Sequence, residues 1–372
     1  MSSLQPADVH RARLEQIERA RQSVLHGAAP SSPGIEPWIE RSWRRCLAAG
    51  LSPRQPVGFE TISQAALRRT LEESHALIDA ARPVLHSLRH AMTQTRYFAV
   101  LTNAKGVVVS AHGPIDTADR RAAVITRVGA DLSEDAVGTT AISAALIEQQ
   151  PVWLHRGEHF FDDTSAYSCA GAPLFGPHGQ LLGMLDLTGI DAAERPELRH
   201  LVSHAARSIE NALTLRQPHA LLLRINWLGQ TLGGEDDGLV CLDADGFVTG
   251  ANRTARILLP ALTFAQSVHA DDLFALPLAE LFDAARRGDV PRDLPLWSGL
   301  RLQAWVHLAS REPGSCERAR SGETLPLKDL ELHLIRKAVA DAHGNVQQAA
   351  HALGISRATV YRKLGRRAGH TE

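Results

Sequence analysis

The stretch that most clearly sets a fold runs from Asn345 to Arg367 and reads NVQQAAHALGISRATVYRKLGRR. Asn345 can cap a first helix, and Gln348 three residues later can complete a capping box. Gly354 permits a tight turn, because glycine reaches positive φ at little steric cost. Ser356 can then cap a second helix, which is densely basic. The pattern therefore predicts two short helices joined by a turn, an arrangement typical of DNA-binding units.

The second helix of this segment divides into an apolar face and a basic face. Val360 and Leu364 point toward a core, whereas the opposite face carries side chains suited to a major groove. Arg362 can donate two hydrogen bonds to a guanine, and other residues of this face can contact a thymine methyl group or phosphates. The alternative is an ordinary helical hairpin with a solvated basic face. The predicted DNA-binding residues are Ser356, Arg357, Ala358, Thr359, Tyr361, Arg362, Lys363, Arg366 and Arg367.

Four short runs carry a family pattern, and they are Ala349-Ala350, Leu353-Gly354-Ile355, Ser356-Arg357 and Tyr361-Arg362-Lys363-Leu364. Together they closely resemble the Fis-type C-terminal domain of bacterial transcription regulators. This resemblance implies an all-α helix-turn-helix domain over residues 326–372 that binds double-stranded DNA.

An apolar stripe at helical spacing lies just upstream, formed by Leu327, Leu330, Leu334 and Ala338, and it ends at Gly344. The stripe is too apolar to stand in water alone. The resemblance implies that this helix pairs two chains into a homodimer, which suits a protein that needs two half-sites on DNA. The alternative is packing within its own domain only.

The composition is that of an ordinary globular protein. The chain has 372 residues, 44% of them hydrophobic and 22% charged, which is enough for two or three domains. The net charge is only −1, so the chain as a whole gives no sign of nucleic-acid binding. The basic excess is confined to the tail beyond Asn345. The four cysteines form no CxxC pair, and neither an export signal nor a membrane-spanning run occurs. These features favour a soluble, cytoplasmic protein with no membrane partner.

Residues 1–90 are predicted to form packing and dimerisation helices, the last of them a long helix over Ile62–His90. Within them lies the run Ile39-Glu40-Arg41-Ser42-Trp43-Arg44-Arg45-Cys46, followed by Gly50-Leu51-Ser52-Pro53. This run resembles the opening motif of the acetoin-catabolism-regulator family of bacterial activators.

Residues 91–217 change to short β-type runs that alternate with helices, which predicts an α+β domain. The predicted hairpins join Tyr97–Leu101 to Val107–Val109 and Ala170–Phe175 to Leu181–Leu187. The other predicted elements are a helix over Asp135–Glu148, a strand over Val152–Leu154 and a closing helix over Glu194–Arg216.

Four runs in this region are Asp135-Ala136-Val137-Gly138-Thr139-Thr140-Ala141, Gly157-Glu158-His159-Phe160, Cys169-Ala170-Gly171-Ala172-Pro173 and Leu185-Asp186-Leu187-Thr188-Gly189. They resemble the GAF sensory domain of the same regulators, and the resemblance implies a pocket for a small-molecule effector. Thr140 and Ser143 stand where relatives usually have asparagine and glycine, so the resemblance does not identify the effector.

The predicted lining of this effector pocket is Trp153, Phe160, Phe161, Tyr167 and Cys169, with simple core packing as the alternative. His155, His159 and Cys169 are residue types that bind zinc or iron. However, the two histidines straddle Gly157 in a predicted loop, where helical spacing does not hold them together. No metal site and no cofactor are therefore predicted.

Residues 226–310 are predicted to form a second, PAS-like α+β module. Asp237–Val248 is predicted as a hairpin that turns at Asp245-Gly246, followed by a helix from Ala251-Asn252. Phe247–Ala255 resembles the strand-to-helix transition of PAS domains, and Leu300–Val306 is predicted as a closing strand. The middle of the region is weakly diagnostic, so a module without its own ligand is expected. Residues 311–325 are a predicted linker.

Relatives with this N-terminal arrangement usually carry a nucleotide-hydrolysing AAA+ domain marked by a GxxxxGK(S/T) phosphate loop. No such loop occurs in this sequence, and the span from Val306 to Leu325 is too short for such a domain. The resemblance therefore implies a one-component, effector-responsive regulator that recruits or blocks RNA polymerase without ATP-driven sigma-54 remodelling. The alternatives are a GAF-fold redox enzyme or metal or redox sensor that uses Cys169, and a non-specific DNA-compacting protein.

Overall fold

The computed structural model describes residues 6–25, 34–93, 95–262, 267–288, 290–309 and 346–347. The chain divides into two compact units, Met1–Ala309 and Ser310–Glu372. The predicted linker 311–325 and the predicted DNA-binding segment 326–372 lie outside the described residues, apart from Val346 and Gln347, which are helical. The DNA-binding residues therefore stay a prediction, and the fold described below is that of the first unit.

The first unit opens with the helices α1 (Pro6–Leu25), α2 (Pro37–Ala48), α3 (Gln64–Glu73) and α4 (His75–Met92). The single long helix predicted over Ile62–His90 is wrong, because the chain leaves the helical conformation at Ser74 (φ −91°, ψ 0°). Ser63 begins α3 as its cap, accepting a hydrogen bond from the Ala66 amide at 3.3 Å. None of the helices in the described ranges is long and apolar enough to cross a membrane.

The next strands build an antiparallel sheet in the order β2-β1-β5-β4-β3. Both predicted hairpins are confirmed, and the predicted strand over Val152–Leu154 is confirmed as β3. The first hairpin turns where Asn103 Oδ1 accepts from the amides of Lys105 (2.9 Å) and Val107 (3.0 Å). The strands are β1 (Tyr97–Asn103), β2 (Val108–His112), β3 (Val152–His155), β4 (Tyr167–Phe175) and β5 (Leu181–Ile190).

Alternate residues of the first sheet face two separate cores, as the period of two in a strand requires. On one face, Tyr97, Ala99 and Leu101 pack with residues of α4 and of α8 (Leu198–Leu215). On the other face, Phe98 and Val100 pack with residues of α1, α2 and α5 (Arg120–Ile125). The first domain is therefore a sheet covered by helices on both faces.

The helix predicted over Asp135–Glu148 is wrong as one element, since it is divided into α6 (Glu134–Val137) and α7 (Ala141–Glu148). Gly138 lies between them with φ +65°, a conformation that favours glycine. A side chain there would also collide, because a Cβ atom would lie 3.0 Å from Phe160 Cβ. Thr140 then caps α7 in a capping box with Ser143, so these two departures from the family pattern have a local structural role.

The second sheet has the strand order β8-β7-β6-β10-β9. The predicted hairpin, the following helix and the closing strand are confirmed as β7, β8, α9 and β10. The strand β6 was not predicted, and it begins before residue 226, where the sequence placed the start of this module. The elements are β6 (Leu221–Trp227), β7 (Gly238–Leu242), β8 (Val248–Ala251), α9 (Arg253–Leu258), α10 (Ala270–Leu273), α11 (Leu278–Arg286), β9 (Arg292–Pro295) and β10 (Arg301–Leu308).

Asn252 forms hydrogen bonds that link α8, the last helix of the first domain, to the second sheet. The second domain is the part of the chain built on this second sheet. The Asn252 side-chain oxygen accepts from the amides of Leu239 (2.9 Å) and Ala255 (2.8 Å). Its side-chain nitrogen donates to Asn211 Oδ1 on α8 (2.7 Å) and to the Asp237 carbonyl (2.8 Å). The residue is only 2% exposed, so water cannot replace these bonds.

We expect Asn252→Ala to lower the free energy of unfolding by about 2–4 kcal/mol, because it removes the cap of α9 and leaves buried backbone groups without partners. Asn226→Ala is the matched control, since Asn226 is only half-buried and its bond to Asp237 is 3.5 Å long. The free energy of unfolding should fall by less than about 1 kcal/mol in Asn226→Ala. Urea unfolding followed by circular dichroism measures both, and equal losses would contradict the assigned role of Asn252.

Candidate effector site

A small cavity lies between the first sheet and the segment that carries α6 and α7. Its volume is about 30 Å³. One water needs about 10–15 Å³ on this scale, so the cavity holds roughly two waters or a ligand of few atoms. Its apolar lining is Phe59, Val100, Ile125, Leu132, Val137, Ala141 and Ile142, and its polar lining is Thr140, His159, Thr164, Tyr167, Cys169, Asp186 and Thr188.

Asp186 is the acidic residue of this cavity, and it lies on β5 among apolar neighbours. Its Oδ2 accepts a hydrogen bond from the Thr188 hydroxyl, whereas its Oδ1 is buried and has no hydrogen-bond partner among the described residues. Burial raises the pKa of Asp186 from 3.8 to about 7. The carboxyl therefore holds its proton to a higher pH than an ordinary aspartate does, and its unpartnered Oδ1 belongs to a residue that lines the cavity.

The Cys169 thiol continues the same chain of contacts. Its Sγ lies 3.5 Å from Thr188 Oγ1, and the thiol is the donor because the Thr188 proton is directed at Asp186. Burial, together with the nearby Asp186 charge, raises the pKa of Cys169 well above its ordinary value. Redox chemistry requires a thiolate. Because its raised pKa disfavours the thiolate, Cys169 gives no support to the redox-enzyme alternative.

His159, another residue of the cavity lining, carries the second buried and unpartnered polar atom of this region. Its Nδ1 lies 2.9 Å from the Arg156 carbonyl, which can only accept, so Nδ1 carries the proton. Burial, with a smaller contribution from the positive charge of Arg21, lowers the pKa of His159 to about 4. The ring is therefore neutral, and Nε2 is a bare acceptor. This atom is buried and finds no hydrogen-bond partner within the described part of the chain.

The structure brings together two of the five residues predicted to line the pocket, Tyr167 and Cys169. Trp153 lies on the opposite face of the sheet, where it packs with the core beside α4 and α8. Phe160 and Phe161 are buried in the cavity-side core, with their rings 5.0 Å apart, but they do not line the cavity. Core packing, the alternative left open by the sequence, describes these two phenylalanines.

Of the three metal-ligand candidates, His159 and Cys169 line the cavity and His155 does not. His155 ends β3, where its Nδ1 lies 2.8 Å from Ser168 Oγ, and His159 follows a short 3-10 turn. Across the described ranges, no three His, Cys, Asp or Glu side chains are arranged to hold a metal ion.

Sequence reasoning missed Asp186, Thr188 and His159 as the polar groups of the pocket. A signal for the first two was present, because Asp186 and Thr188 alternate with leucines in a strand that is otherwise apolar. Polar side chains inside a buried strand need partners, so such a pair marks a place worth testing. No comparable signal marks Phe59, which reaches the cavity from the loop before α3.

Two family models match this chain. The model described as "Bacterial regulatory protein, Fis family" matches residues 326–366. The model described as "MimR, N-terminal domain" matches residues 5–211, which is more than half of the chain. The chain belongs to the MimR N-terminal domain family. The Fis-type domain predicted from the sequence is thereby confirmed as a family match.

Several matching relatives are named as transcription regulators. The acetoin catabolism regulatory protein of Cupriavidus necator is 31% identical over 257 residues, which are 66% of this chain and 38% of the relative. The propane 2-monooxygenase operon transcriptional activator MimR of Mycolicibacterium goodii is 28% identical over 199 residues, 53% of this chain and 33% of the relative. The aligned part thus spans less than two fifths of each relative's own length.

Among solved structures, the chain is similar to the E. coli DhaR(N)-DhaL complex at 17% identity and a TM-score of 0.45, covering 73% of this chain and 99% of the other. The acetoin catabolism regulatory protein and MimR are named as regulators and not as enzymes.

We expect Asp186→Asn to stabilise the protein increasingly as the pH rises from about 4 to 7. The raised pKa means that the folded state holds a proton which the unfolded state releases in this window, so the wild type loses stability as pH rises. The gain approaches at most about 4 kcal/mol, at about 1.4 kcal/mol per pKa unit. Thermal unfolding from pH 4 to 8 measures it. Asp245→Asn, in an exposed turn, is the control, and a gain independent of pH at position 186 would refute the interpretation.

Proposed function

We propose that the protein is a one-component transcription regulator whose affinity for operator DNA depends on a small molecule bound in the cavity of the first domain. The observation that carries the sensory half of the proposal is the pair of buried, unpartnered atoms, His159 Nε2 and Asp186 Oδ1, on residues lining one cavity. The match of residues 326–366 to the Fis family supports the DNA-binding half.

DNA binding is assigned to the C-terminal segment. The residues predicted to contact DNA, with Arg362 at a guanine, fall inside the matched range except for Arg367. A homodimer is part of the proposal, because a helix-turn-helix protein reads two half-sites with two copies of the unit. Cytoplasmic location follows from the need to reach DNA.

The effector is proposed to be a small, neutral compound with a hydroxyl group. The cavity admits only a few non-hydrogen atoms. His159 Nε2 requires a donor from the ligand, and a hydroxyl supplies one, whereas a carboxylate does not. The relatives named for acetoin catabolism and for a propane 2-monooxygenase operon support a compound of about this size. Acetoin is therefore the first compound to test.

Coupling between effector and output is assigned to the hairpin of β4 and β5. Its inner part carries Cys169 and Asp186 at the cavity. At its outer end, the Phe175 ring lies 4.8 Å from the Arg253 guanidinium, and the Pro177 carbonyl accepts from the Ala251 amide at 2.7 Å. One rigid element thus contacts both the proposed effector and the second domain. A ligand that prefers one position of this hairpin shifts the second domain with it.

The output is proposed to be recruitment or blocking of RNA polymerase. These 372 residues contain no GxxxxGK(S/T) phosphate loop, so the proposed output does not include an ATP-driven step. Sequence-specific binding beside a promoter is sufficient for either outcome.

We expect Arg362→Ala to abolish preference for the regulated operator and to weaken operator binding about 10- to 100-fold, as loss of one bidentate guanine contact does. Electrophoretic mobility shifts on the DNA upstream of the protein's own operon, against random DNA of equal length, measure both quantities. Lys105→Ala, in an exposed turn of the first sheet, is the charge-matched control. Unchanged operator preference in the Arg362 variant would reject the assignment.

We expect acetoin to bind the wild-type protein and His159→Phe to weaken that binding at least about tenfold, because the variant removes the acceptor at Nε2. Isothermal titration calorimetry measures the affinities. His178→Gln, at an exposed turn outside the cavity, should leave them unchanged. Equal affinity in wild type and the His159 variant would exclude the cavity as the binding site, and no binding to the wild type would exclude acetoin.

A further inference from the structure

Arg21, in the N-terminal helix, makes several hydrogen bonds to the loop that carries His159. Arg21 of α1 donates to the carbonyls of Gly157 (2.9 Å), His159 and Phe160 (3.1 Å). It also donates to Asp162 Oδ1 at 2.8 Å. A single guanidinium therefore binds four residues of the segment between the end of β3 and the start of β4.

Burial makes this contact unusual for an arginine. Arg21 is only 7% exposed, and its guanidinium lies 5.7 Å from the centre of the Trp43 ring. Its carboxylate partner, Asp162, is 59% exposed, so the carboxylate end of the ion pair is open to water and the attraction is weakened. Solvated ion pairs contribute little stability. The three backbone carbonyls are therefore the partners that Arg21 satisfies inside the protein.

The helix α1 also packs directly on this loop. A Cβ atom at Gly157 would lie 3.2 Å from the Ile17 side chain and 3.3 Å from the Arg21 side chain, so glycine allows the close approach. Arg13, nearer the start of α1, binds Glu158 of the same loop. The loop thus has α1 on one side and the cavity on the other.

The position of the His159 ring depends on this loop. Its Nδ1 is directed at the Arg156 carbonyl, three residues back in the same turn, and its Nε2 is left as the open acceptor. Arg156 has φ +48°, a left-handed conformation that is unfavourable for a residue with a side chain. A turn in this conformation needs outside contacts to persist. Arg21 supplies such contacts on both sides of His159, at Gly157 and Phe160.

We infer that Arg21 is a positioning residue of the effector site: it fixes the 157–160 loop so that His159 keeps Nδ1 on the Arg156 carbonyl and presents Nε2 as a hydrogen-bond acceptor for a hydroxyl-bearing ligand. The inference rests on the proposed function for the identity of the ligand, but the state of His159 can be measured without any ligand. It makes the N-terminal helix part of the sensory site, although this helix contributes no residue to the cavity lining.

Several charged or titratable groups surround His159, and Arg21 must be distinguished from them. Asp186 on β5 and Cys169 and Tyr167 on β4 line the same cavity. Glu158, paired with Arg13, and Asp162, paired with Arg21, lie on the loop itself. Arg21 differs from the others because it is the cation that binds the His159 carbonyl directly and lowers the pKa of the ring by its charge.

The test is nitrogen-15 NMR of histidine-labelled full-length protein, without ligand, between pH 4 and 8. The His159 signal is assigned by its loss in His159→Gln. In wild type we expect a neutral ring with the proton on Nδ1 across this range above about pH 5. In Arg21→Ala we expect the midpoint of protonation to rise toward the ordinary histidine value near 6.5 and the tautomers to mix. Arg19→Ala, on the exposed side of the same helix, is the control and should match wild type.

Arg21→Lys is the second variant. Lysine keeps the positive charge, but its single ammonium group cannot donate to several loop carbonyls at once as the planar guanidinium does. We expect it to stay folded by circular dichroism and to show an intermediate midpoint and tautomer mixing. A wild-type His159 signal in folded Arg21→Lys or Arg21→Ala overturns the inference. Where acetoin binds the wild type, we expect about tenfold weaker binding by Arg21→Ala, and unchanged affinity also overturns it. Failure of acetoin to bind rejects that effector alone, because the NMR result still decides the role of Arg21.

Discussion

The antiparallel pairing of β4 with β5 is the constraint on which the cavity of the first domain depends. It places Cys169 opposite Thr188 and Gly171 opposite Asp186, which brings the polar groups of two strands to one face of the sheet. The close fit explains the glycine, since a Cβ atom at position 171 would lie 2.7 Å from Met184 Cε and 2.9 Å from the Ala141 carbonyl. Because α7 begins at Ala141, the same pairing sets how near that helix approaches the sheet. The cavity is the space that remains.

Three buried carboxyl groups in the first domain have a pKa raised by burial to about 7, but their surroundings differ. Glu158 is paired with Arg13 and accepts from the His155 amide, and Glu210 accepts from the Phe175 amide. These two carboxyls join separate parts of the fold. Within the described residues, Asp186 bonds only to the Thr188 hydroxyl and its Oδ1 has no partner, so it joins no separate parts of the fold there. A buried polar atom without a partner is unfavourable for folding, which is why Asp186 is better explained by binding than by structure.

Local patterns in the sequence predicted the hairpins and missed what depends on distant contacts. Alternation and turn residues were sufficient for β1, β2, β7 and β8, and Asn252 marked the start of α9 because a helix cap is a local feature. The division at Gly138 was missed because its cause, the Phe160 side chain, lies 22 positions further along the chain. Trp153 was placed in the pocket because its chemistry fits, but the register of β3 against β4 turns it to the other face. Arg21 contacts a loop 136 to 141 residues away, and no sequence spacing reveals such a pair.

The free energy available from hydrogen bonds to the two unpartnered atoms, His159 Nε2 and Asp186 Oδ1, limits how strongly a bound effector could act on the protein. A buried polar atom without a hydrogen bond costs about 1–3 kcal/mol, so a ligand that satisfies both His159 Nε2 and Asp186 Oδ1 gains several kcal/mol in the arrangement that presents both atoms. Coupling between sites in regulators is typically about 1–3 kcal/mol, which this gain matches. The gain exists only while the 157–160 loop and the β4–β5 hairpin keep their positions. A ligand that requires those positions therefore stabilises both the contact of the loop with α1 and the contact of the hairpin with the second domain, and by linkage these contacts strengthen the binding of the ligand.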